Sequence, residues 1–188
     1  MVRAPRRSDD EVELRPPTAG DVDAIYAAVC ESLPELVAWM RWCHPGYVRD
    51  ETVDWVRGAE QAWTDGTEHA FVIVDRRDGR VLGSCGLNAL DRPNRWANLG
   101  YWVRTSATGR GAATRAATLV ADFGFAELGL DRIEILAATG NARSQRVAAR
   151  VGAAREGVLR RRLHVNDVSH DAVVFSLIRD EWPGAHDR

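Results

Sequence analysis

The chain has 188 residues, 45% hydrophobic and 28% charged, the balance of one soluble domain with a sizeable core. Its formal net charge of −2 excludes a global pull toward nucleic acid, and no apolar run reaches the roughly twenty residues of a membrane span. Cys30, Cys43 and Cys85 have no metal-ligand spacing and leave an odd count, so reduced thiols in a cytoplasmic protein are expected, with no metal. The basic start, Met1 to Arg7, has no apolar stretch behind it and reads as a flexible tail over residues 1–10 rather than a secretory signal.

Val12-Glu13-Leu14-Arg15 alternates like a short strand that Pro16-Pro17 ends. Thr18 or Asp21 caps a helix carrying Val22, Ile25, Tyr26 and Val29 on one face. Pro34 opens a second short helix through Trp42, and His44-Pro45-Gly46 forms a turn. A third helix runs from Asp50, with Val53, Val56, Ala59 and Trp63 on one face, to Gly66. Strands follow at Ala70 to Val74, Arg80 to Leu90 and Ala97 to Arg104, the first pair joined by an Asp78-Gly79 hairpin turn. A long helix from Ala112 to Leu128, a strand over residues 132–136 and a short helix from Asn141 to Val151 come next. Val158 to Leu163 and Ala172 to Ile178 are the last predicted strands. One domain over 11–182 and a short tail over 183–188 account for the chain. Of the seven tryptophans, Trp39, Trp42, Trp63 and Trp96 lie outside strongly apolar runs, as in the walls of a cleft or as anchors of helices to a sheet.

The most informative stretch is Thr108-Gly109-Arg110-Gly111-Ala112-Ala113-Thr114, where a strand has just ended and a helix begins at once. A backbone with little side-chain bulk can curl around an anion there, and the new helix aims unpaired N–H groups at it. A Walker loop is excluded, because the sequence contains no lysine. A dinucleotide fingerprint would need Gly or Ala where Thr114 stands, and a place in a first βαβ unit. The coenzyme A loop of the GNAT N-acetyltransferases, Gln/Arg-x-x-Gly-x-Gly/Ala, is matched by residues 108–113 except at Thr108.

The wider sequence resembles the same family, and within it the RimJ/RimL branch. The likeness rests on Leu14-Arg15-Pro16, Ala70-Phe71-Val72-Ile73, Leu82-Gly83 and Leu99-Gly100-Tyr101-Trp102-Val103. It continues through Phe123-x-Phe125-x-Glu127-x-Gly129-Leu130-x-Arg132, Asn141-x-x-Ser144, Glu156-Gly157-x-Leu159-Arg160 and Ser176 to Trp182. The resemblance implies an α/β fold with a mixed central sheet of about six to seven strands flanked by about four to five helices. It implies transfer of acetyl from acetyl-CoA to a primary amine, a small molecule or a protein N-terminus. Homodimers are common in the branch; membrane and nucleic-acid partners are not expected. A CoA-binding module without turnover, or a relative using succinyl-CoA, are the alternative readings.

On this resemblance the pantetheine runs beside Tyr101, Trp102 and Val103 like an added strand. The pyrophosphate lies on the N–H groups of Gly109, Arg110, Gly111, Ala112, Ala113 and Thr114, with Arg104 and Arg110 adding charge-assisted contacts. Asn141 bonds the pantetheine amides, and Ser144 donates to the leaving thiolate. A backbone N–H near Val103 stabilises the oxyanion. Where many relatives carry a glutamate base two residues before Gly-Tyr-Trp, this chain has Asn98, which cannot take the proton. Glu134, mid-strand between Ile133 and Ile135, is the remaining candidate base, with His44 second.

Overall fold

The computed structural model describes residues 6–183. All of its strands join one eight-stranded sheet: β1 (Arg7–Ser8), β2 (Val12–Arg15), β3 (His69–Asp75), β4 (Val81–Asp91), β5 (Trp96–Val103), β6 (Arg132–Ala138), β7 (Ala154–Val165) and β8 (Val168–Ile178). Their spatial order is β1-β2-β3-β4-β5-β6-β8-β7, and every pairing is antiparallel except that of β5 with β6. Five helices cover it: α1 (Val22–Glu31), α2 (Leu33–Trp39), α3 (Arg49–Asp65), α4 (Ala112–Ala126) and α5 (Ala142–Val151).

The strand count exceeds the expected range because of β1, which is too short for any periodicity to reveal. Asp9 makes it. Its carboxylate accepts the N–H groups of Glu11 and Val12, each at 2.8 Å, and so turns the chain back along β2. Arg7 then pairs with Glu127 and lies over the Phe123 ring. The expected tail over residues 1–10 is corrected accordingly: from Arg7 the chain is sheet, and residues 1–5, like 184–188, lie outside the described residues.

Alternation along the strands divides the core in two. Leu14, Phe71, Ile73, Leu87, Leu99, Ile133 and Ile135 meet α4 and α5 on one face. Val72, Val74 and Val81 meet α1, α2 and α3 on the other. The alanine-rich α4 lies close to the sheet's centre; a Cβ added at Gly124 would come within 2.8 Å of Ile133 Cδ1. That close seating carries the N-terminus of α4 to the C-terminal end of β5. The second helix ends at Trp39 rather than Trp42. Met40 is extended, and a turn from Met40 O to Cys43 N buries Cys43 while turning Trp42 outward.

One buried polar group has a measurable consequence. His69 sits against Trp63 and Phe123, with ring centroids 4.6 and 5.2 Å away, and neither ring nitrogen has a hydrogen-bond partner among the described residues. Burial, with Arg92 nearby, lowers its pKa to about 4. The unfolded chain binds the proton near pH 6.5 and the folded chain only near pH 4, so this site subtracts stability as pH falls across that window. His69→Phe is therefore expected to raise the melting temperature at pH 5 by more than at pH 8. An equal shift at both pH values would contradict a neutral buried imidazole.

Candidate active site

The parallel pairing of β5 with β6 is brief. It spans Trp96↔Arg132, Ala97↔Ile133 and Asn98↔Glu134, and beyond these both strands continue without pairing to each other. The sheet opens there into a cleft of 640 Å³, lined from one side by Leu99 to Trp102 and from the other by Glu134 to Ala138. On its other edge β5 stays bonded to β4 from Asn98 to Val103, with Val103 opposite Gly83 and Tyr101 opposite Cys85. Arg104 N donates to Leu82 O at 2.7 Å, so by antiparallel alternation Trp102 and Gly100 also turn their main-chain groups toward β4. Beyond the short ladder, Tyr101 and Val103 turn theirs into the gap. The main chain of Trp102 is thus committed to the sheet, and its ring packs on the α1–α3 side. The expected backbone contact narrows to Tyr101 and Val103.

Past β5 the chain makes a single 3₁₀ turn over Thr105–Ala107 and then the glycine loop. Gly109 and Gly111 adopt φ of +78° and +84°, left-handed values that side chains resist. A Cβ at either would find no atom within 4 Å, so the backbone conformation, not crowding, demands glycine. The first bond of α4 runs from Arg115 N to Gly111 O. No hydrogen bond is made by the N–H groups of residues 109–114 among the described residues. A run of unpaired donors at a helix N-terminus is the geometry that an anion cradle requires. Thr108, where the motif expects Gln or Arg, donates its hydroxyl to Thr105 O at 2.8 Å and braces the loop. Arg110 is exposed and makes no ion pair among the described residues.

Arg104 requires a correction. It is only 8% exposed; its guanidinium grips Glu31 through Nε (2.9 Å) and Nη2 and donates Nη1 to Val81 O at 3.1 Å. Glu31 Oε1 accepts Ser106 N at 2.8 Å, and Ser32 Oγ accepts Thr105 N at 2.9 Å. The Arg104 guanidinium, with the Ser106 N–H, lowers the Glu31 pKa to about 2. Arg104 is therefore a brace between the end of α1 and the base of the loop, buried with three of its five N–H donors engaged there. Arg104→Ala should lower stability by about 2 kcal/mol, because Val81 O and Glu31 lose their partner. The check is thermal melting without any ligand. A variant as stable as the parent, with weaker anion binding, would restore the direct-contact role.

Ser144 lies in the first turn of α5. Asn141 caps the helix, its Oδ1 accepting Ser144 N at 3.0 Å, and both residues line the cleft. The Tyr101 hydroxyl donates to Ser144 O at 2.9 Å and lies 3.2 Å from Ser144 Oγ. Burial raises the Tyr101 pKa to about 12, so it stays a neutral phenol. Nothing in the sequence points to this side-chain pairing, and the role expected of Tyr101 involves its main chain alone. Glu134 reaches the cleft, but its Oε1 is held by Arg132 Nε at 2.9 Å, and Arg132 is held in turn by Glu156. Asn98 donates Nδ2 to Asn88 Oδ1 at 3.0 Å, adjoining Glu134 across the short parallel ladder. His44 bonds Glu51 at 2.8 Å and does not line the cleft. Of the tryptophans, Trp39, Trp42, Trp55, Trp96 and Trp102 line it, whereas Trp63 packs on Phe71 and Phe123, and Trp182 on Phe125. Among the described residues no group of His, Cys, Asp and Glu is placed to hold a metal, and no helix is long and apolar enough to cross a membrane.

Comparison with known proteins gives the same fold and a family. The acetyltransferase (GNAT) domain family model matches residues 11–154. YdaF of Bacillus subtilis (strain 168), whose name provisionally assigns it ribosomal N-acetyltransferase activity, is 32% identical over 94% of this chain and 96% of its own length. The ribosomal-protein-serine acetyltransferase of Escherichia coli (strain K12) is 26% identical over 91% of this chain and 94% of its own. Among solved structures, Mycobacterium smegmatis RimJ in complex with a CoA-disulfide superposes with a TM-score of 0.83 at 29% identity, covering 92% of this chain and 84% of that one.

Proposed function

We propose that this chain, which belongs to the GNAT acetyltransferase family, moves acetyl from acetyl-CoA to the primary amine of a small molecule or a protein N-terminus by direct attack. The observation that carries this reading is the run of unpaired N–H groups over residues 109–114, continuous with the free edge of β5 and with Ser144. The CoA-bound solved relative supports the choice of donor.

In this mechanism residues 109–114 hold the diphosphate, with Arg110 beside them. The main-chain groups of Tyr101 and Val103 hold the amide-bearing arm as an added strand. The nitrogen lone pair forms the N–C bond at the thioester carbonyl, and the C–S bond breaks. A free N–H on the gap edge of β5 stabilises the oxyanion between these events. Ser144 Oγ donates to the departing sulfur, and Tyr101 orients it. The products are the amide and the CoA thiol: the proton that Ser144 gives the sulfur is replaced by the one the attacking nitrogen loses, and the proton shed when the ammonium became the free base leaves to solvent through the cleft. With Asn98 unable to take a proton and Glu134 bound to Arg132, the amine reacts as its own free base. An α-amine, with a pKa roughly 2.5 units below that of lysine, is the easier substrate.

The test is steady release of CoA with a panel of amines at saturating acetyl-CoA. Turnover with at least one amine class is expected, with acetyl-CoA outcompeting succinyl-CoA. Binding of acetyl-CoA without release of CoA to any amine would leave only a binding module.

A further inference from the structure

The wall of the cleft opposite Ser144 is made of rings. Tyr101 and Trp102 are neighbours on β5 and so point to opposite faces, the first to Ser144 and the second across to Trp42. The Trp42 and Trp102 centroids are 5.9 Å apart with planes at 54°, and Tyr47 meets Trp42 edge-on at 5.8 Å. Trp42 remains 42% exposed and Trp55 36%, both facing this space. Large uncovered indoles beside an active site mark a surface that a ligand covers.

The charges around that wall decide what kind of ligand. Glu51 accepts His44 Nε2 and Val48 N, both at 2.8 Å, and Glu134 is held by Arg132. Glu68 is a lining carboxylate with no ion pair, while Arg41 and Arg162 are lining guanidiniums with none among the described residues. With His44 neutral, Glu51 and Glu68 stand against Arg41 and Arg162, so the lining offers a polycation no net attraction. A planar apolar body would meet rings one residue along the strand from the acyl-transfer point. Apolar surroundings also disfavour the ammonium form, which suits a site without a base.

We propose that the acceptor is a primary amine whose reacting nitrogen lies two or three bonds from an aromatic ring, the ring packing against Trp42 and Trp102, and that polyamines are poor acceptors. This rests on the acetyltransferase reading above. A free arylalkylamine and a peptide with an aromatic first residue share that chemistry.

The test measures kcat/KM of the full chain at saturating acetyl-CoA for phenethylamine, propylamine and spermidine, and for Phe-Gly-amide against Ala-Gly-amide. Phenethylamine is expected to exceed propylamine about tenfold, as one aromatic contact allows, with spermidine lowest. The source is small-molecule if Phe-Gly-amide is no better than Ala-Gly-amide, and peptide if it exceeds phenethylamine; either outcome supports the aromatic subsite. Trp42→Ala should bring the phenethylamine-to-propylamine ratio close to one, and Trp42→Phe should restore it, at an unchanged KM for acetyl-CoA. Turnover led by spermidine or propylamine, or a ratio untouched by Trp42→Ala, overturns the proposal while leaving acetyl transfer standing. Absence of CoA release with every amine, with acetyl-CoA still bound, overturns both.

Discussion

Gly111→Trp is expected to abolish the rise in melting temperature that acetyl-CoA gives the parent chain. The space above Gly111 is open, so the indole enters the cradle instead of the core. Placing a side chain at φ +84° costs about 1–2 kcal/mol, a drop of roughly 2–8 °C for a chain of this size, so the variant still folds. What it loses is access of an anion to the N–H groups of residues 109–114, and with it the linkage between ligand concentration and stability. Gly79→Trp is the matched control. Gly79 has φ +74° and open space above it but lies in the β3–β4 hairpin. It should melt lower by a similar amount and keep full protection by acetyl-CoA. Protection of both variants alike would place the cofactor away from the loop.

Ser144→Ala is expected to lower kcat by about 100-fold and to change KM for acetyl-CoA by less than about threefold. The helix start survives the change, because Asn141 accepts the backbone N–H that alanine retains. Tyr101→Phe should lower kcat by about tenfold, since Tyr101 touches the serine and acts through it. The double variant should be no slower than Ser144→Ala alone, the signature of two groups in one chain of contacts. Full turnover of Ser144→Ala would remove its role as acid; additive losses would give Tyr101 a separate one.

The glycine loop was legible in sequence because it is local: two glycines, small residues and a helix start lie within one short stretch. The strands from β3 to β6 were legible because each buries a face. β7 was not read to its full length, since its side chains are mostly exposed and its register shifts twice, which erases the alternation. The role of Arg104 was misread for a different reason. Beside a phosphate loop any arginine looks available, and its partner Glu31 is 73 residues away. Tyr101 and Ser144, 43 residues apart, meet only after α5 docks on the sheet. Long-range pairing of polar groups leaves no period in the chain, so the second half of the site appears only with the fold.

The short β5–β6 ladder gives this sheet an edge in its middle. Amides of Tyr101 and Val103 should exchange with deuterium as quickly as those of a peripheral strand, though they lie between two halves of the same sheet, and should slow when CoA is added. Exposed rims of that kind normally invite other polypeptides to add on. Here the rim is recessed between two walls, so a bulky neighbouring strand is turned away while a slender arm carrying its own amides can slide in.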